Sequence, residues 1–147
     1  MDAARDHGRV GGGLMQFKSP HMADQLLASS MGLQDVVRRF REMSEDIGVD
    51  PVVTRVWDPV PGDSGVHEAH RAVDFRDHTL VPDERLLGRF SETAAYTAGQ
   101  VRHIVETMNA EFPREDGKLV CIHHSFCGGM LHFHLQVPVD WGQERGT

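Results

Sequence analysis

Two short segments near the C-terminus constrain the fold most, because together they are predicted to form a hairpin. Residues 119–123 and 132–137 have strand-like sequences, and the loop between them contains Gly128 and Gly129. Side chains two positions apart on a strand point to the same face of a sheet, so His132 and His134 are expected side by side. The hairpin therefore predicts a sheet that presents imidazoles on one face.

The first half of the chain predicts two helices and two further strands. Five apolar residues recur at helical spacing and predict a helix over residues 33–47, ending at Gly48. These residues are Leu33, Val36, Val37, Phe40 and Met43. A shorter helix is predicted over residues 20–30, a strand over 52–57 and another within 71–75.

The segment between the predicted strands and the hairpin contains a long series of apolar residues. Their spacing from Leu86 to Met108 predicts one long helix over residues 82–111, with Asp83 as its N-terminal cap. The order of helices, strands, helix and hairpin predicts an α+β fold. Its helices are expected to pack on a small antiparallel sheet.

The length of 147 residues suits a single domain with one hydrophobic core. We predict that this domain spans residues 20–140 and follows a flexible tail over residues 1–19. Two cysteines are too few for a disulfide framework, which favours a reducing compartment.

The charge and hydropathy patterns argue against several classes of partner. A net charge of −7 argues against a surface that wraps nucleic acid, because such proteins normally neutralise phosphates with a basic excess. The chain contains no uninterrupted apolar run of about 20 residues, so no membrane span is expected. Its first residues lack the apolar region of a secretory signal, which predicts a cytoplasmic protein without a signal peptide.

Ten histidines accompany a single tyrosine, and several of them lie in two groups. The first group includes His67 and Asp74, and the second is His132-Phe133-His134. Zinc binds imidazole nitrogen and carboxylate oxygen, and a catalytic zinc site uses three protein ligands and leaves one position for water. His67 and Asp74 can each supply one ligand. One histidine of the second group can supply another while its neighbour stays close to the water or the substrate.

The two groups together resemble a known family. Ser64 and His67, then Arg71-Ala72-Val73-Asp74, with a late His-x-His on a strand, are similar to the signature of the zinc D-alanyl-D-alanine carboxypeptidases. The phage L-alanyl-D-glutamate endopeptidases and the Hedgehog signalling domain share this signature, and all belong to the LAS group of metallopeptidase folds. The resemblance covers about residues 33–137, most of the chain.

The resemblance implies a role for each residue of the signature. His67, Asp74 and His134 are the expected zinc ligands, and His132 is expected beside the catalytic water. Arg71 belongs to the same signature and is the expected substrate-binding residue. The implied substrate is a peptidoglycan stem peptide that contains D-amino acids. The implied protein is a phage-type cell-wall hydrolase, cytoplasmic or associated with the virion and its proteins.

The sequence departs from the family at three positions. His70 replaces a residue that is usually small, and Asp58 stands near the place of an arginine that holds a substrate carboxylate, with Arg55 close by. The family's catalytic glutamate precedes the third ligand, whereas residues 127–131 contain no acid. A general base normally takes the proton of the attacking water, so His132, His124 or His123 would have to serve, with His132 and His124 as our candidates.

Two alternatives to the enzyme remain open. The chain is then either a non-catalytic zinc module of a phage particle or larger assembly, or a small domain without metal. Independently of these functions, four late residues could form a separate structural zinc site. It would use Cys121, His123, His124 and Cys127, although their spacing matches no standard zinc finger.

Overall fold

The structure, a computed structural model, describes residues 9–10, 13–57, 71–83, 89–125, 131–138 and 141. Within these ranges the helices are α1 (His21–Leu27), α2 (Met31–Asp46) and α3 (Ala98–Glu111). The strands are β1 (Arg9–Val10), β2 (Gly13–Leu14), β3 (Gln16–Phe17), β4 (Val52–Arg55), β5 (Ala72–Arg76), β6 (His78–Asp83), β7 (Arg89–Ala94), β8 (Cys121–Ser125) and β9 (Leu131–Gln136). The predicted α+β class is confirmed.

Five strands form the main sheet, in the order β3-β4-β5-β9-β8. The four strands from β4 to β8 are antiparallel neighbours, whereas β3 runs parallel to β4. The sheet is therefore mixed rather than purely antiparallel. The chain crosses from β3 to β4 through α1 and α2, a long connection of the kind that parallel neighbours require.

Strand β3 lies within the segment 1–19 that the sequence predicts as a flexible tail. The amide of Gln16 donates to the carbonyl of Pro51 at 2.8 Å, and the amide of Lys18 donates to the carbonyl of Val53 at 2.8 Å. These backbone hydrogen bonds satisfy donors at the edge of the sheet. Residues 16–18 thus belong to the folded part of the chain.

Aromatic side chains join α2 to one face of the sheet. The ring centroid of Phe40 lies 4.5 Å from that of Phe75 on β5 and 5.0 Å from that of Phe133 on β9. Tyr96 packs against Phe133 at 4.9 Å, and its hydroxyl lies 2.9 Å from Ser44 Oγ. Because aromatic rings bury large apolar areas, this cluster is the centre of the core and assigns one sheet face to the helices.

The helix ends follow local sequence signals. Ser30 accepts a hydrogen bond from the amide of Leu33 and caps α2, and Gly48 follows its C-terminus with φ of +82°. The predicted helix over residues 33–47 is confirmed within two residues at its start and one at its end. Among the described residues, no helix is both long and apolar enough to cross a membrane.

The single long helix predicted over residues 82–111 is wrong in its first half. Asp83 ends β6 instead of capping a helix, and β7 pairs antiparallel with β6 from Arg89 opposite Asp83 to Ala94 opposite His78. Helix α3 begins after Thr97, which forms a capping box with Gln100. Apolar spacing alone did not distinguish the strands from a helix, and backbone pairing between two neighbouring segments decided in favour of strands.

Candidate metal centre

The sheet face opposite the aromatic core bears four of the residues that the sequence singled out. In the register, Asp74 lies opposite His134, and His132 lies opposite His124. Directly paired residues of antiparallel strands share a face, and alternation places Asp74 away from its neighbour Phe75 in the core. We call this side of the sheet the histidine face, defined by Asp74, His124, His132 and His134.

Asp74 and His134 form the shortest polar contact of the histidine face among the described residues. His134 Nδ1 lies 2.8 Å from Asp74 Oδ1, and only 8% of His134 and 5% of Asp74 are exposed. A buried carboxylate is costly unless it is paired, so this contact compensates the burial. The two candidate ligands are held together by the pairing of β5 with β9.

Gln136 determines which nitrogen of His134 bears hydrogen. Its Nε2 donates to the carbonyl of Leu119 at 3.0 Å, and a carbonyl can only accept, so the orientation of the amide follows from this bond. The other amide atom, Oε1, lies 3.2 Å from His134 Nε2 and requires a donor there. His134 Nε2 therefore bears hydrogen, and Nδ1 is the atom that faces Asp74.

The second oxygen of Asp74 has two cationic or polar neighbours. Asp74 Oδ2 lies 3.8 Å from Arg55 Nη1 and 3.8 Å from His132 Nε2. The side chain of Arg55 is 12% exposed, so its charge is only partly screened by solvent. Arg55 and His132 thus stabilise the carboxylate of Asp74 on the side that His134 does not occupy.

His124 lies against both histidines of β9. Its ring centroid is 4.8 Å from that of His132 and 5.6 Å from that of His134. His124 Nε2 is buried and has no hydrogen-bond partner among the described residues. Burial lowers the pKa of His124, and the nearby His132 and His134 lower it further, which favours the neutral ring.

Two further residues of the predicted site are His67 and Arg71. His67 lies outside the described residues, as do His70 and Cys127. Arg71 donates from Nη1 to the carbonyl of Val137 at 2.8 Å and so links the start of β5 to the chain beyond β9. This contact is with backbone, and the expected role of Arg71 in substrate binding stays a prediction.

No group of three or more His, Cys, Asp or Glu side chains is placed to hold one metal ion within the described ranges. Of the three predicted ligands, Asp74 and His134 lie within these ranges. The third, His67, belongs to the segment 58–70, which lies outside the described residues.

A second cluster of one aspartate and two histidines lies away from the histidine face. His123 Nε2 is 2.9 Å from Asp77 Oδ2, and His78 Nδ1 is 3.4 Å from Asp77 Oδ1. The ring of His123 packs on Phe133 at 4.9 Å, whereas His124 lies on the histidine face. Because His123 and His124 point to opposite faces, they do not meet at a common structural zinc site.

Cys121 shares the core side of β8 with His123. It is fully buried, and burial raises the pKa of its thiol to about 12. Since a metal ligand must be a thiolate, this environment disfavours Cys121 as a ligand and suits a small apolar core residue.

Arg76 extends the polar surface at the end of β5. It lies opposite His132 in the register and also lines a cavity of about 520 Å³ with Gln16, Asp50 and His78. This cavity offers polar groups of both charges next to the row of histidines.

Gln136 is the site residue that the sequence analysis missed. It lies two positions after His134, so the same alternation that paired His132 with His134 would have placed it on the same face. The sequence offered Arg55 only as a replacement for the family's arginine that holds a substrate carboxylate. The irregular register between β4 and β5 places Arg55 opposite Asp74.

No family model matches the chain, and searches of curated proteins and of solved structures gave no significant match. The family resemblance therefore rests on the motif residues themselves.

Proposed function

We propose that this protein is a zinc-dependent peptidase-like domain of the LAS type, acting on peptidoglycan stem peptides as a phage-type cell-wall hydrolase. The observation that supports it most is the contact between His134 Nδ1 and Asp74 Oδ1 at 2.8 Å. With hydrogen on Nε2, a neutral His134 directs a lone pair from Nδ1 toward a carboxylate. Two acceptors so close require a cation between them, which is either a proton or a metal ion.

The donor set fits zinc. Ligands bound at about 2.0–2.1 Å in a tetrahedral site lie about 3.3 Å apart, so the observed 2.8 Å needs an opening of about 0.5 Å. The residues that would hold the ion are Asp74, His134 and, from the segment outside the described ranges, His67. One carboxylate and two imidazoles are a ligand set found in catalytic zinc sites.

His124 and His132 lie beside the proposed ligands and are the candidates for assisting hydrolysis. Zinc supplies Lewis-acid activation of water and of the scissile carbonyl when bound. Hydrolysis adds water across the C–N bond, so one proton must leave the water and one must reach the departing amine. His124 is suited to accept and return this proton at Nε2, because burial favours its neutral form and Nε2 has no partner among the described residues.

His132 lies between His124 and the carboxylate of Asp74 and is suited to stabilise the negative charge that develops on the carbonyl oxygen. The cavity that begins at Arg76 is the adjacent surface on which a peptide can lie. His132 and His124 thus replace the glutamate that the family places before its third ligand.

Two measurements on the purified protein test this function. Elemental analysis is expected to find about one zinc per chain, lost in His67→Ala. Turnover of a synthetic stem peptide with D-amino acids is expected in the wild type and abolished in His132→Ala. If the wild type binds no zinc when zinc is offered, the proposed zinc-dependent function is wrong.

A second candidate is a non-catalytic zinc module within a phage particle or other assembly. One observation favours it: Asp74 is the only carboxylate of the histidine face within the described residues, and residues 126–130 contain no acid. Under this alternative, zinc binds but stem peptides are not cleaved, and His132→Ala changes only the thermal stability. Zinc content and turnover measured together distinguish the two functions.

A further inference from the structure

The side-chain amide of Gln136 makes two hydrogen bonds, one as a donor and one as an acceptor. Its Nε2 donates to the carbonyl of Leu119, and its Oε1 accepts from His134 Nε2. The backbone amide of Gln136 also donates to the carbonyl of Val120 at 2.9 Å, which holds the residue against the start of β8. The orientation of the amide is therefore determined by Leu119, because turning the side chain over would set Oε1 against a carbonyl and lose that bond.

The bond to His134 selects one tautomer of that ring. If Oε1 of Gln136 were absent, a neutral His134 could place its hydrogen on Nδ1 and donate it to Asp74 Oδ1, at a distance of 2.8 Å. That hydrogen bond would occupy the nitrogen and the carboxylate oxygen that face each other. Gln136 opposes this arrangement because it requires hydrogen on Nε2.

We infer that Gln136 is a positioning residue of the metal centre, holding His134 in the tautomer that directs the lone pair of Nδ1 toward a metal ion shared with Asp74. The inference rests on the proposed zinc site and adds the residue that prepares it. Partners of this kind orient a ligating imidazole and increase its basicity, and their loss typically lowers metal affinity about 10- to 100-fold.

The test compares zinc affinity, measured by competition with a chromogenic chelator, in the wild type, Gln136→Met and Gln136→Glu. Both variants lose the donor to Leu119, but glutamate keeps an acceptor for His134 Nε2. Gln136→Met is expected to weaken zinc binding about 10- to 100-fold, whereas Gln136→Glu stays at least as tight as the wild type. Equal affinity in the wild type and Gln136→Met, or equal weakening in both variants, overturns the inference.

A matched control separates positioning from stability. Gln100→Met removes a glutamine whose Oε1 accepts from the amide of Thr97 at the start of α3, far along the chain from the histidine face. It is expected to lower stability without changing zinc affinity. If Gln100→Met weakens zinc binding as much as Gln136→Met, the effect is one of stability and the inference fails.

A second readout does not depend on affinity. In the zinc-loaded wild type, the proton on His134 Nε2 is expected to exchange slowly with solvent in an NMR spectrum, and in Gln136→Met it is expected to exchange fast. A wild type without zinc binding contradicts the proposed function and the inference with it. A wild type that binds zinc but shows no such protected proton contradicts the inference alone.

Discussion

His134 Nδ1 lies 2.8 Å from Asp74 Oδ1, although the two residues are 60 positions apart in the sequence. The contact exists because β5 and β9 are neighbours and their register sets Asp74 directly opposite His134. Gln136 adds the information that Nε2 of His134 bears hydrogen, so a neutral His134 presents the lone pair of Nδ1 to the carboxylate. The proposed zinc site uses this pair, and the first prediction tests it.

Asp74→Asn is expected to lose bound zinc, because a neutral amide is a much weaker ligand than a carboxylate. Asp77→Asn is the matched control, since Asp77 is also a partly buried carboxylate beside a histidine but lies with His123 on the other side of β8. Elemental analysis of both purified variants checks the prediction. Zinc retained in Asp74→Asn, or lost in Asp77→Asn, would place the ion elsewhere.

His124→Gln is expected to lower kcat on a stem peptide at least about 100-fold while zinc stays bound, because proton transfer by a positioned side chain contributes about 10²- to 10⁴-fold. His123 precedes His124 in the sequence but lies on the core face of the sheet, so His123→Gln is expected to leave kcat within about threefold of the wild type. Steady-state kinetics with a parallel zinc assay separates the two effects. Similar losses of kcat in both variants would argue against His124 as the proton acceptor.

Tyr96 predicts how stability changes at high pH. Burial raises its pKa from 10.0 to about 12, so the folded state holds the phenolic proton more tightly than the unfolded state. The stabilisation is complete below pH 10 and is lost as the pH rises through the folded pKa, by about 2 to 3 kcal/mol in total. Unfolding by urea between pH 9 and 12 should show this loss, and Tyr96→Phe should remove most of it.

A spectroscopic measurement checks the same group directly. Tyr96 is the only tyrosine of the chain, so the phenolate absorbance of the folded protein reports on this residue alone. The transition is expected near pH 12 in the folded protein and near pH 10 in urea. Coinciding transitions would show that Tyr96 is not buried against Ser44 and Phe133.

Phe40→Ala is expected to lower the free energy of unfolding by about 3–5 kcal/mol, because it removes the ring that joins Phe75 to Phe133 and leaves a cavity. Leu27→Ala, at a residue that is 73% exposed, should change it by less than about 0.5 kcal/mol. Urea unfolding followed by circular dichroism measures both. A small effect at Phe40 would mean that α2 does not cover this face of the sheet.

Several features of the fold were predictable from the sequence because they are properties of one continuous segment. The apolar spacing of Leu33 to Met43 predicts α2, and all five of these positions are buried. The alternation around His132 and His134 predicts a strand that presents both rings on one face, and β9 has this form. Gly48 marks the end of α2 with a positive φ, as its position after the apolar series indicated.

The region from residue 78 to 94 shows where such patterns fail. Its apolar spacing also fits a helix, and only the pairing of β6 with β7 distinguishes the two outcomes. The capping box of Thr97 and Gln100 was present in the sequence and would have shortened the predicted helix.

The sequence by itself determined the residue types of the candidate site and the faces on which the strands present them. Only the tertiary structure decided that β5 lies next to β9, that His124 packs against the rings of β9 and that Gln136 bonds to His134. The physical reason is that periodicity is a local property of a segment, whereas strand order depends on which apolar faces can be buried together across long stretches of chain. A contact such as that of Asp74 with His134 is set by this second, non-local choice.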